Sequence, residues 1–111
     1  MVSDDGFARV GALAEIPEGE VRAFDLPVGR VAIAHVEHRL FAFADACTHA
    51  GCTLSDGIFD DRAATIICPV DETAFDVETG EPVSGPGQDA LPIYAVREVG
   101  GWVEVSLLPR P

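Results

Sequence analysis

Apolar and polar positions alternate with period two along much of the chain. Arg22–Phe24–Leu26 and Val31–Ile33–His35 carry that rhythm, and Leu40-Phe41-Ala42-Phe43-Ala44 is a short apolar run. Ala64-Thr65-Ile66-Ile67 is apolar and β-branched, which favours a strand. Leu91-Pro92-Ile93-Tyr94-Ala95-Val96 leads through Gly100-Gly101 into Trp102-Val103-Glu104-Val105. Two glycines between alternating runs signal a tight hairpin. Glu37-His38-Arg39, Asp60-Asp61 and Glu78-Thr79-Gly80 read as further turns. No window shows a sustained 3.6-residue period, so the pattern predicts an all-β sandwich or small barrel. Two segments interrupt the strands: Asp45 to Gly57, and Cys68-Pro69-Val70-Asp71-Glu72-Thr73. Both follow apolar strands, and together they hold every cysteine. Loops on a rigid scaffold are where sites concentrate.

With 111 residues the chain is read as a single domain spanning 1–111. Hydrophobic residues make up 48%, which excludes intrinsic disorder. Stretches without Asp, Glu, Lys or Arg reach only about ten residues, roughly half a bilayer span, so no membrane helix is expected. The start, Met-Val-Ser-Asp-Asp-Gly, shows no secretory signal, which makes the cytoplasm the expected compartment. There, thiols and metal ligands are commoner than disulfides.

The formal net charge is −12, and all 7 basic residues are Arg. A phosphate backbone would be repelled, so no nucleic-acid partner is expected. The bias is local: from Asp45 to Glu81 there are nine acids, and Arg62 is the one base. Such a surface suits a basic partner, although a solvated face would carry the same charges.

Cys47 and His49 lie two apart, and Cys68 and Asp71 three apart. At those spacings each loop offers two candidate ligands to one metal centre, one of each pair a thiolate. Pro69 stiffens the second knuckle and removes a competing amide donor. Gly51 and Gly57 permit backbone turns that a Cβ would forbid. No nucleophile–base pair and no phosphate-cradling glycine loop stands out.

The run Cys47-Thr48-His49-Ala50-Gly51-Cys52-Thr53-Leu54-Ser55-Asp56-Gly57, then Cys68-Pro69, then Phe75-Asp76-Val77-Glu78-Thr79-Gly80-Glu81-Pro82, resembles Rieske-type [2Fe–2S] proteins. The likeness is to the small soluble ferredoxins of bacterial aromatic-ring dioxygenase systems. It implies a Rieske-type antiparallel β-sandwich with a two-loop cluster-binding subdomain, the loops at about 45–57 and 68–76. It also implies an electron carrier and not an enzyme, passing single electrons from a flavin-dependent ferredoxin reductase to a terminal oxygenase. Cys47 and Cys68 would hold the inner iron and His49 the outer one. Ser84-Gly85-Pro86-Gly87, otherwise a plain turn, would be the loop that covers the cluster.

The family pattern is Cys-x-His followed by Cys-x-x-His. Here Asp71 stands at the second histidine and Glu72 at a usual glycine or small polar position. A carboxylate ligand would add negative charge and lower the reduction potential. The cysteine that pairs with position 52 in the high-potential branch is Val70 here, so Cys52 reads as a buried free thiol or a substitute fourth ligand. Two other readings stay open: a Rieske-fold subunit with an altered or lost cluster, and a mononuclear Cys/His/Asp site such as zinc. His35 and His38 read as surface residues beside a turn. Tyr94 and Trp102 read as core or half-buried strand aromatics.

Overall fold

The computed structural model describes residues 5–46, 53–87 and 89–109. Ten strands run β1 (Phe7–Ala12), β2 (Val21–Leu26), β3 (Gly29–Val36), β4 (Arg39–Ala44), β5 (Ile58–Asp60), β6 (Thr65–Ile67), β7 (Ala74–Asp76), β8 (Pro82–Ser84), β9 (Ile93–Val99) and β10 (Trp102–Pro109). Short 3-10 turns cover Leu13–Glu15 and Leu54–Asp56. A six-stranded sheet has the order β1-β10-β9-β4-β3-β2, and a four-stranded sheet the order β5-β6-β7-β8. Every strand pair is antiparallel. Among the described residues no helix is long and apolar enough to cross a membrane.

The alternation in β3 sorts its side chains between two cores. Val31 and Ile33 join Ile16, Ala42, Tyr94, Val103 and Val105. Ala32, Ala34 and Val36 join Phe43, Leu54, Ile66, Cys68, Phe75, Val77 and Leu91. The second cluster draws on both sheets and seats the small one on the large one. A strand covered on both faces reads as a continuous apolar run.

The hairpins follow the turn chemistry. Gly100 and Gly101 have φ of 58° and 86°, and Trp102 pairs with Val99 across them. Positive φ at both central residues matches the right-handed strand twist. Glu37 and His38 adopt φ of 50° and 67° between β3 and β4 without glycine. Several placements differ from or sharpen the sequence reading. Three-residue strands β5, β7 and β8 are too short to show periodicity, and β1 is broken by a register shift between Arg9 and Gly11. His35 lies within β3, half-buried, with Nδ1 2.7 Å from the Ile16 carbonyl, while His38 is exposed at the turn. Tyr94 is buried. Trp102 is an exposed residue with the Arg9 guanidinium 4.7 Å from its ring centroid.

Phe75 is fully buried in the core between the sheets. Phe75→Ala is expected to cost about 3–5 kcal/mol. Urea unfolding with an unchanged slope checks this; a loss under 1 kcal/mol would contradict the seating described.

Candidate metal centre

The second loop is a closed knuckle. It begins after β6, where Ile67 ends the strand, and returns into β7 at Ala74. The Cys68 amide donates to the Thr73 carbonyl at 2.8 Å, and the Glu72 amide donates to the Cys68 carbonyl at 3.1 Å. The Cys68 side chain is fully buried, and its Sγ accepts the Val70 amide at 3.4 Å. Amide donors to sulfur stabilise thiolate charge and tune the potential of an iron–sulfur centre. The Cys68 sulfur is disulfide-bonded, where the sequence reading favoured thiols or metal ligands. A bonded sulfur cannot hold iron; only the reduced thiolate could.

Asp71 is half-buried, and its Oδ1 accepts the Thr73 amide at 3.0 Å. This is the local carboxylate–backbone turn that Asp forms readily. Glu72 has φ of 64°, the left-handed region that disfavours a Cβ. That backbone requirement explains why a glycine suits the position. The Glu72 side chain is exposed to solvent.

Close backbone contacts hold the neighbouring segments. At Gly57, φ is −88°, so the requirement is not a special dihedral. A Cβ there would stand 1.9 Å from the Ile67 carbonyl oxygen and 3.1 Å from Pro69 Cδ. At Gly85, with φ of 92°, a Cβ would lie 2.6 Å from Thr73 Cα. The Gly87 amide donates to the buried Thr73 Oγ1 at 2.9 Å. The Ser84–Gly87 segment is therefore packed directly on the knuckle, more than a plain turn. A cleft of about 420 Å³ beside it is lined by Asp56, Gly57, Ile58, Ile67, Cys68, Pro69 and Glu72.

Among the described residues no three His, Cys, Asp or Glu side chains gather into a metal-holding group. The expected ligands Cys47 and His49, with Gly51 and Cys52, lie outside the described residues. The structure thus brings Cys68 and Asp71 onto one knuckle. The sequence reading missed Asp45, counted there only among the acids. It is buried, 3% exposed, and paired with Arg30 Nε at 2.9 Å. That hydrogen bond, helped by the nearby charges of Asp45, Asp25 and Asp56 and opposed by burial, holds the Arg30 guanidinium above its ordinary value. Its position two residues before Cys47 is the one signal in the sequence.

Two antiparallel sheets share one apolar core, and a hairpin knuckle on the small sheet carries a buried sulfur with an amide donor. The chain matches the Rieske [2Fe-2S] domain over residues 6–95 and belongs to that family. It is 33% identical over 96 residues to the 3-phenylpropionate/cinnamic acid dioxygenase ferredoxin subunit of Escherichia coli (strain K12), covering 86% of this chain and 88% of that one. It is 34% identical over 96 residues to the ferredoxin component of the naphthalene 1,2-dioxygenase system of Pseudomonas aeruginosa, covering 86% and 90%. The solved ferredoxin of carbazole 1,9a-dioxygenase from Nocardioides aromaticivorans IC177 superposes with a TM-score of 0.86 at 29% identity, covering 90% of this chain and 96% of that one. A chain from a complex of reduced oxygenase and oxidized ferredoxin in carbazole 1,9a-dioxygenase superposes with a TM-score of 0.89 at 28% identity, covering 97% and 99%. The family's cofactor is a [2Fe–2S] cluster. The Cys68 knuckle fits it once the sulfur is reduced, because a buried thiolate there would have the Val70 amide as its donor.

Relieving the strained backbone at one position should be measurable. Glu72→Gly is expected to stabilise the fold by up to about 1 kcal/mol, the left-handed penalty outweighing glycine's extra chain entropy. Chemical denaturation checks it; a clear destabilisation would show that the Glu72 side chain contributes more than its backbone costs.

Proposed function

We propose that this chain is a soluble Rieske-type ferredoxin of an aromatic-ring dioxygenase system, working in the cytoplasm. It takes single electrons from a flavin-dependent ferredoxin reductase and delivers them to a terminal oxygenase, without catalysing a reaction itself. The observation that carries the reading is the Cys68 knuckle: a buried sulfur with its Val70 amide donor, in a chain of this family. The names of the dioxygenase ferredoxins that resemble it support the system. The holding residues in this proposal are Cys47 and Cys68 on the inner iron, and His49 with Asp71 on the outer. When bound, the cluster supplies one-electron storage.

The chain's own residues prepare the surroundings. Val70 polarises the sulfur through its amide, and Thr73 pins the Ser84–Gly87 segment that limits water beside the knuckle. Ile58 and Val70 stay exposed on either side of Cys68, at 67% and 68%, and offer apolar contact to a partner. The acids of this end, Asp56 and Glu72 among them, favour a partner with basic groups at its rim.

One observation favours a second reading, an altered or lost cluster. Asp71 already spends Oδ1 on the Thr73 amide. The two readings separate on loaded protein. Reconstitution with iron and sulfide should give about two irons per chain, visible absorption and an EPR signal on reduction. Protein that stays colourless with no acid-labile sulfide sinks the ferredoxin reading, and about one zinc per chain would assign a mononuclear site.

Asp71→His tests the fourth ligand. A unit charge about 4 Å from the iron at an effective dielectric of about 20 is worth about 4 kcal/mol. For one electron that corresponds to roughly 170 mV, so the variant should titrate at a potential higher by that order. Protein-film voltammetry reads it; an unchanged potential and spectrum would mean that Asp71 does not touch iron.

A further inference from the structure

Ala74 of β7 pairs with Ser84 of β8, and the chain past Ser84 runs on beside Thr73. A Cβ at Gly85 would lie 2.6 Å from Thr73 Cα and 3.0 Å from the Glu72 carbonyl oxygen. A Cβ at Gly87 would lie 2.8 Å from Thr73 Cγ2 and 3.0 Å from its Oγ1. Both glycines of the Ser84–Gly87 segment therefore stand where Thr73 leaves room for little more than hydrogen.

Thr73 is fully buried, and its polar groups serve three different residues. Its carbonyl accepts the Cys68 amide at 2.8 Å, and its amide donates to Asp71 Oδ1 at 3.0 Å. Those two bonds lie within the knuckle. Its Oγ1 accepts the Gly87 amide at 2.9 Å, which reaches outside it. Gly85 and Pro86 are exposed while Gly87 is buried, so the hydroxyl holds the point where the segment leaves the surface. A buried amide without an acceptor is costly, and a hydroxyl at position 73 is what spares Gly87 that cost. A side chain locked by packing and by such bonds keeps the groups around a site in place.

We propose that Thr73 is a positioning residue whose hydroxyl couples the Ser84–Gly87 segment to the Cys68 knuckle. Seated on Thr73, the segment braces the limb that returns to β7 and so keeps the Val70 amide on the Cys68 sulfur. Loss of the hydroxyl frees segment and knuckle together. The coupling stands on the bonds above; its effect on a cluster rests on the ferredoxin reading.

The test compares the wild-type chain with Thr73→Val, Thr73→Ser and Gly87→Ala. Valine keeps the shape and removes the acceptor; serine keeps the acceptor and removes only the methyl group. The first readout is amide hydrogen exchange in reduced protein before iron loading. In Thr73→Val the Gly87, Cys68 and Val70 amides should exchange about tenfold faster or more, with β3 and β9 unchanged and Thr73→Ser near wild type. The second readout is the reduction potential of loaded protein by voltammetry. It should fall in Thr73→Val and recover in Thr73→Ser, because an amide donor to sulfur favours the reduced cluster. Unchanged exchange at Gly87, or a rise at Gly87 that leaves Cys68 and Val70 at wild-type rates, would overturn the coupling. So would an equal rise in every strand, or a serine variant that behaves like valine. A wild-type potential in loaded Thr73→Val would overturn the link to the sulfur. If Thr73→Val does not fold, Gly87→Ala, which crowds the same side chain but leaves its hydroxyl, decides on the same readouts. Wild-type protein that takes up no cluster would sink the ferredoxin reading, while the exchange measurement would still decide for or against the coupling.

Discussion

The seating of the small sheet on the large one governs the site. Phe43, Ala32 and Ala34 from the large sheet meet Ile66, Phe75 and the Leu54 turn in one apolar cluster. Alanines at two facing positions leave room for the bulkier side chains opposite. Close packing of this kind resists displacement, since even small shifts forfeit many weak contacts. The knuckle that bears Cys68 grows directly out of that cluster, so its orientation is inherited from the core and not from the loop alone. The loop adds its own closure through the Thr73 carbonyl and hydroxyl.

Electrostatics then acts on a fixed frame. Most acids of the 45–81 stretch that appear along the surface stay in water, where exposed pairs such as Arg39–Glu78 at 3.1 Å contribute little to stability. On β9 of the large sheet Arg97 sits 4.0 Å from the Phe7 ring centroid and bonds Asp5 and Glu104. Those bonds, Asp5 first, hold its guanidinium above the ordinary value. A group held charged so far above neutrality introduces no pH dependence into the physiological range. Arg30 and Arg97 thus act as ties between neighbouring segments.

The architecture was legible wherever a physical rule repeats within a few residues. Gly100-Gly101 located the β9–β10 hairpin because only such residues adopt two successive positive φ values easily. The alternation from Val31 to His35 located β3, and the cysteine spacings located the knuckle. Illegible features are those decided by distant partners. Gly57 is required by the Ile67 carbonyl, ten residues on, and not by its own dihedral. Asp45 looks like one more surface acid until Ser55 and Arg30 fill its oxygens. Glu37 and His38 turn a hairpin without the glycine that the rule favours, and β5, β7 and β8 hold too few residues for a pattern. Asp71 shows both sides: its place on the knuckle was readable, its bond to the Thr73 amide was not. The placement of Cys47 and His49 lies outside the described residues.

Cys68 belongs to two systems at once. It is a candidate iron ligand, and it is also a fully buried member of the apolar cluster shared by both sheets. Serine at that position would bring a hydroxyl into a space filled by hydrocarbon and sulfur, a cost of about 1–3 kcal/mol without a partner. Colour lost on such a replacement would therefore mix two causes, a missing donor and a loosened sandwich. Alanine deletes the donor without bringing in a hydroxyl, although it also removes the acceptor of the Val70 amide.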